Sequence, residues 1–131
     1  MKYLPAIAGA VLGLLFVVFG LNFFLNFIPM PPGPPEGSPA ALFMGALFPT
    51  GYLGFIKSLE ILGGVMVAVP RTRNLGLLVL GPILVNIVCY HIFLMRGVGL
   101  FSPPLVVIGA LAAYLLWVGR RPFSRLLGPP A

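Results

Sequence analysis

Few side chains in this chain of 131 residues can do chemistry, and they fall within a few apolar stretches. Lys57 and Glu60 stand three residues apart in one such stretch, a spacing that puts both on one face of a helix. A cation beside an anion is neutral in total, which lowers the cost of holding either away from water. Asn86, Tyr90 and His91 occupy a second stretch, and Asn22 and Asn26 share a face of a third. Lys57 and His91 can donate hydrogen bonds to a ligand carbonyl. Glu60 can hold Lys57 or pass a proton, and Asn22 and Asn86 can orient a bound molecule. Asn26 and Tyr90 lie on the same faces and complete the candidate ligand-binding set.

The sequence also excludes chemistry. Its single cysteine, Cys89, allows no internal disulfide and no two-cysteine relay. Its single histidine, His91, cannot supply both axial ligands of a haem, and no histidine-rich metal motif is present. No metal site is expected. Phosphate loops, nucleophile elbows and dinucleotide fingerprints are likewise missing. Any redox role requires a dissociable organic carrier or a partner subunit.

The elements that must position these residues are apolar helices. Hydrophobic residues make up 60% of the chain and charged residues 8%, against about 25% charged in an ordinary soluble domain. So few charges cannot cover a water-facing surface, and the lipid bilayer is the expected solvent. Four runs approach the ~20 residues that a ~30 Å hydrocarbon layer requires: 4–28, 52–70, 75–95 and 100–118. The first is longer than the ~7–15 apolar residues of a signal peptide and ends in bulky residues, so it reads as a retained span. Six prolines between positions 29 and 39 make that stretch an extended loop. Ser38 and Pro39 then read as the cap and first position of a short interfacial helix, stopped at Pro49, Thr50 and Gly51. The expectation is an all-α fold: a single-domain, integral membrane four-helix bundle with a short interfacial helix after the first span.

Charge sets the expected orientation. Lys2, Arg71, Arg73, Arg120, Arg121 and Arg125 fall at one end of the bundle and Arg96 at the other. By the positive-inside rule both termini and the tail 119–131 are cytoplasmic, and the loop 29–51 faces outward. The net charge of +6 is assigned to this asymmetry and not to nucleic acid, because no basic stripe with interleaved aromatics exists. Measured from the outer ends, Glu60 and Asn86 fall at one depth and Lys57 and His91 at a shallower one.

Two readings of the polar set compete. In one it lines an outward-facing pocket for a small amphiphile. In the other it is interhelical glue in a structural or assembly protein, each bond contributing about 0.6 kcal/mol. A transporter is a weaker third reading, since four helices without repeats need a dimer to form a path. Gly9 with Gly13, and Gly64, read as close-packing positions, and the phenylalanines of the first run as core or lipid contacts.

At its polar residues the chain resembles the DoxX-like family of small bacterial membrane proteins. The resemblance rests on Gly54, Lys57, Glu60, Gly63 and Gly64 in the second span, Pro70, Arg71 and Arg73 in the turn that follows, Asn86, Tyr90 and His91 in the third, and Gly20, Asn22, Phe23 and Phe24 in the first. It implies a four-helix bundle in the bacterial cytoplasmic (inner) membrane. The family takes its name from a subunit of a thiosulfate:quinone oxidoreductase. The resemblance therefore implies, by analogy, a quinone as ligand and a place as an accessory subunit of a quinone-linked membrane oxidoreductase; a homodimer or a partner subunit is the expected assembly.

Overall fold

The computed structural model describes residues 3–29 and 32–129. Lys2, one of the six basic residues behind the expected orientation, lies outside them. All regular structure among the described residues is helical.

The longest α-helix, α1, spans Leu4–Leu25 and starts with proline in its first turn, where a missing N–H costs nothing. It stops three residues short of the expected 28, because Asn26 takes the left-handed conformation (φ 53°, ψ 45°) that ends many helices. A short helix, α2, spans Pro39–Leu47; the Ser38 hydroxyl caps it by accepting the Ala41 N–H at 3.2 Å. Gly51, at φ 82°, turns the chain into α3 (Tyr52–Ala68).

A 3-10 turn at Pro70–Thr72 leads into α4 (Arg73–Cys89), which runs through Pro82 and continues directly into a π-helical turn, Tyr90–Leu94. Then α5 (Pro103–Val118) follows, with a short α6 (Arg120–Ser124) and a 3-10 turn, Arg125–Leu127, behind it.

Two segments are long and apolar enough to cross a membrane alone, Leu4–Leu25 and Pro70–Leu94. Two more pass as bent pairs: Pro39–Leu47 with Tyr52–Ala68, bent by 80°, and Pro103–Val118 with Arg120–Leu127, bent by 73°. The chain thus carries two to four candidate spans, as a membrane protein does.

Packing is built on small residues. The tightest pairings are α1 with α3 and α3 with α4; α5 rests on α1 and only lightly on α4. Gly13 and Gly64 face each other, so that a Cβ on Gly64 would sit 2.8 Å from the Gly13 carbonyl oxygen. Gly63 and Gly76 receive Leu80 and Val67 in the same way. The buried core is small, with Leu12, Val67 and Leu80 at its centre. Large side chains such as Ile7, Leu14, Leu62, Val85, Phe93 and Trp117 point outward.

The two ends of the bundle differ. At one, the Arg73 guanidinium lies over Gly9 and donates to the Val67 carbonyl at 3.0 Å, while Asn74 meets Gly119. Arg120 stacks 4.2 Å above Trp117 at this same end. At the other, α2 lies across the helix ends: Phe48 packs on Phe23 of α1 and Phe43 on Tyr90.

Candidate functional site

Glu60 is the buried carboxylate among the described residues. It follows from its place in α3 one turn before Gly63 and Gly64, where helices α1 and α4 close on the glycines and shut water out. Its carboxylate accepts a hydrogen bond from the Lys57 ammonium at 3.1 Å; the carboxylate side chain is 5% exposed and the lysine 25%. The pair is graded in depth, with the anion inside and the cation at the edge. This suits lysine, whose long stem lets the head reach a wetter place than its Cα.

An open cleft of about 280 Å³ adjoins the pair. Lys57 and Glu60 of α3, His91 of the π turn and Ser102 line its polar part; Phe16 and Phe19 of α1, Ile87 of α4 and Leu105 of α5 are among its apolar walls. Side chains from α1, α3, α4 and α5 therefore converge, because α5 stands off from α4 and leaves a gap there.

Each polar group on this cleft is held by local structure. His91 lies in a five-residue π turn, a rare geometry found frequently at functional sites. Its Nδ1–H donates to the Ile87 carbonyl at 2.8 Å. Gly99, at φ 80°, passes over the other edge of the ring, where a Cβ would lie 3.1 Å from Cδ2 and 3.4 Å from Nε2. Tyr90 stacks edge-on against the same ring at 5.3 Å.

Ser102 precedes α5 in the position where a hydroxyl ordinarily accepts a backbone N–H from the first turn. Pro103 and Pro104 fill the first two helical positions and carry no N–H. The Ser102 hydroxyl makes no capping bond and has no hydrogen-bond partner among the described residues, and the residue lines the cleft. Sequence reading passed over Ser102. The Ser-Pro-Pro order reads as an ordinary cap with the Leu105 N–H as its donor, and gives no sign that the hydroxyl is left unbonded.

The remaining candidates lie elsewhere. Asn22 is buried, and its amide is spent on its own chain: Oδ1 accepts the Ile28 N–H at 2.7 Å and Nδ2 donates to the Ile28 carbonyl at 3.2 Å. Asn26 is the exposed left-handed residue that stops α1. Asn86 lies on an exposed face and donates to the Pro82 carbonyl at 2.9 Å. Tyr90 reaches the cleft only through the His91 ring. The shared depth of Glu60 and Asn86 thus does not bring them together, because they occupy different faces of their helices.

A second groove, of about 430 Å³, separates α4 from α5, but aliphatic side chains line nearly all of it. It is larger than the polar cleft and offers a ligand no comparable polar anchor. Among the described residues no group of three or more His, Cys, Asp or Glu side chains could hold a metal ion.

No family model matches the chain, and no solved structure matches it. It is similar to a Bacillus subtilis (strain 168) protein named as uncharacterized protein YwoB, with 41% identity over 69 residues. The similarity covers 53% of this chain and 43% of that protein.

Proposed function

We propose that the chain is a four-helix protein of the bacterial cytoplasmic membrane that binds a small amphiphile, of the quinone class, in the cleft beside Lys57 and Glu60. The observation that carries this is one cleft where Lys57, His91 and Ser102 present polar groups against walls of phenylalanine and aliphatic side chains. Polar anchors in an apolar, partly enclosed space are what a ligand with an oxygenated head and a greasy body requires. The belt of outward-facing Ile, Leu, Val and Phe supports a lipid setting, since an apolar surface of that extent needs lipid or a partner over it. The basic end, with Arg73, Arg120, Arg121 and Arg125, supports cytoplasmic termini, and the cleft then opens in the outer half. The resemblance to DoxX-like proteins supports the quinone class and a role as accessory subunit, with electrons supplied by a partner chain. Lys57 and Ser102 fit such a head, because both donate to carbonyl oxygen.

Organic extraction of the purified protein followed by mass spectrometry tests the reading. Leu105→Trp, which fills the cleft from α5 without touching the ion pair, serves as control. An amphiphile enriched in the wild type and lost in the variant is expected. Identical bulk phospholipid in both would overturn it.

A second reading, a structural protein whose polar groups fix packing, is favoured by Asn22 and Asn86. Asn22 spends its amide on Ile28 just beyond α1, and Asn86 donates to its own helix on an exposed face away from the cleft. It accounts for the asparagines; it does not account for the free Ser102 hydroxyl.

A further inference from the structure

The tautomer of the neutral His91 ring is set by its neighbour. A carbonyl oxygen only accepts, so the Nδ1 contact to Ile87 places a proton on Nδ1. In the neutral ring the other nitrogen, Nε2, is then a bare acceptor. Nε2 has no hydrogen-bond partner among the described residues, and the residue lines the cleft. Lys57 on the same wall is a donor only, and Ser102 serves in either sense. The sequence alone suggests that Lys57 and His91 both donate to a carbonyl; the geometry assigns them opposite roles.

A head group that satisfies both must accept from Lys57 and donate to His91. A quinone carbonyl does the first and not the second; a hydroxyl does both. Building on the amphiphile reading above, we infer that the cleft selects amphiphiles whose polar head carries an acidic hydroxyl, a phenol or hydroquinone, with His91 Nε2 accepting its hydrogen and the Lys57 ammonium donating to a head-group oxygen. Leaving Nε2 bare against an ether or carbonyl forfeits that bond and sets two lone pairs against each other. One hydrogen bond of ordinary strength corresponds to about tenfold in affinity.

The test uses the full chain in lipid nanodiscs with three redox-inert or oxidised probes of nearly equal size: 2,3,5,6-tetramethylphenol, its methyl ether, and tetramethyl-1,4-benzoquinone. The phenol is expected to bind about tenfold more tightly than the ether or the quinone. His91→Leu is expected to bring the phenol down to the level of the ether while leaving the ether unchanged. His91 is the only histidine, so histidine-selective ¹⁵N labelling reads its two nitrogens without assignment. Nδ1 is expected to be protonated and Nε2 bare, with the Nε2 signal moving when the phenol is added and not when the ether is. Equal binding of phenol and ether, or a proton found on Nε2 instead of Nδ1, would overturn the inference and leave the amphiphile site standing. Failure of all three probes to bind would overturn the amphiphile reading, and this inference with it.

Discussion

The Lys57 ammonium lies 3.1 Å from the Glu60 carboxylate one turn further along α3, and the anion is much the more deeply buried of the two. This makes the pair unequal. Removing the cation strands a carboxylate with no other ion-pair partner among the described residues. Removing the anion strands an ammonium that can still turn into the cleft. Breaking a buried pair from one side costs about 3–5 kcal/mol, most of it the desolvation of the partner left behind. Lys57→Met is expected to fall in that range and Glu60→Gln to cost less than half as much. The double variant should recover most of the loss. Thermal unfolding in detergent, followed by circular dichroism, gives all three values; a greater loss in Glu60→Gln would show that the lysine is the desolvated member.

Asn22 ties the end of α1 to the chain six residues on. Its amide meets both the N–H and the carbonyl of Ile28. Asn22→Ala leaves both backbone groups unpaired beside a buried position, a loss of about 1–3 kcal/mol. Asn22→Asp keeps the acceptor for the Ile28 N–H in either protonation state and supplies a donor to the Ile28 carbonyl only when protonated, so it is expected to retain part of that stability. Asn22 does not line the cleft, so retained amphiphile per folded molecule should not change in Asn22→Ala. Extraction and mass spectrometry, normalised to the folded fraction, check this.

The helical character is legible in the sequence because the runs are continuous and apolar and proline density marks the loop. Of the four expected spans, however, only 4–28 and 75–95 correspond to helices long enough alone, while 52–70 and 100–118 pass only within bent pairs. The ends are harder. The residue that stops α1, Asn26, reads in sequence as a polar group within a span; only its left-handed backbone identifies it as the terminator. Lys57, Glu60 and His91 are legible as site candidates because charge in an apolar run stands out. The separation of Asn22 and Asn86 from them is not, because an amide can spend its hydrogen bonds on its own helix or on a neighbour, and spacing does not say which. Ser102 is hidden for the opposite reason. A serine before prolines looks like a cap, as Ser38 before Pro39 is one, and only the structure shows that the Ser102 hydroxyl makes no capping bond.

The glycines divide by what faces them. Gly13 and Gly64 bring the backbones of α1 and α3 together, and a Cβ on Gly64 would meet the Gly13 carbonyl oxygen at 2.8 Å and Phe16 Cβ at 3.0 Å. Backbone atoms cannot move aside singly, so Gly64→Ala must part the helices, at about 1–3 kcal/mol. Gly109 of α5 has nothing within 4 Å of such a Cβ. There the substitution only removes glycine's backbone entropy and should stabilise by up to about 1 kcal/mol. Paired thermal melts of Gly64→Ala and Gly109→Ala are expected to shift in opposite directions. A shift in the same direction would mean that the α1–α3 contact is not close-packed.

The difference in charge between the two ends predicts a topology that one cysteine per molecule can report. Cys89 is the only native thiol and is half-buried, so Cys89→Ser gives a blank background. On that background Glu36→Cys lies in the proline-rich loop and Ser124→Cys in α6 among the basic residues, both exposed. Arg71, Arg73, Arg120, Arg121 and Arg125 gather at the α6 end and Arg96 alone at the other, so the positive end should be retained in the cytoplasm. A membrane-impermeant maleimide added to intact cells is expected to label Glu36→Cys and spare Ser124→Cys until the membrane is permeabilised. Reversed labelling would place the mouth of the cleft on the cytoplasmic side, and the ligand would then have to be drawn from the inner leaflet. Labelling of both in intact cells would mean that the chain crosses an odd number of times, and that one of the two bent pairs, Pro39–Leu47 with Tyr52–Ala68 or Pro103–Val118 with Arg120–Leu127, is a re-entrant hairpin and not a span.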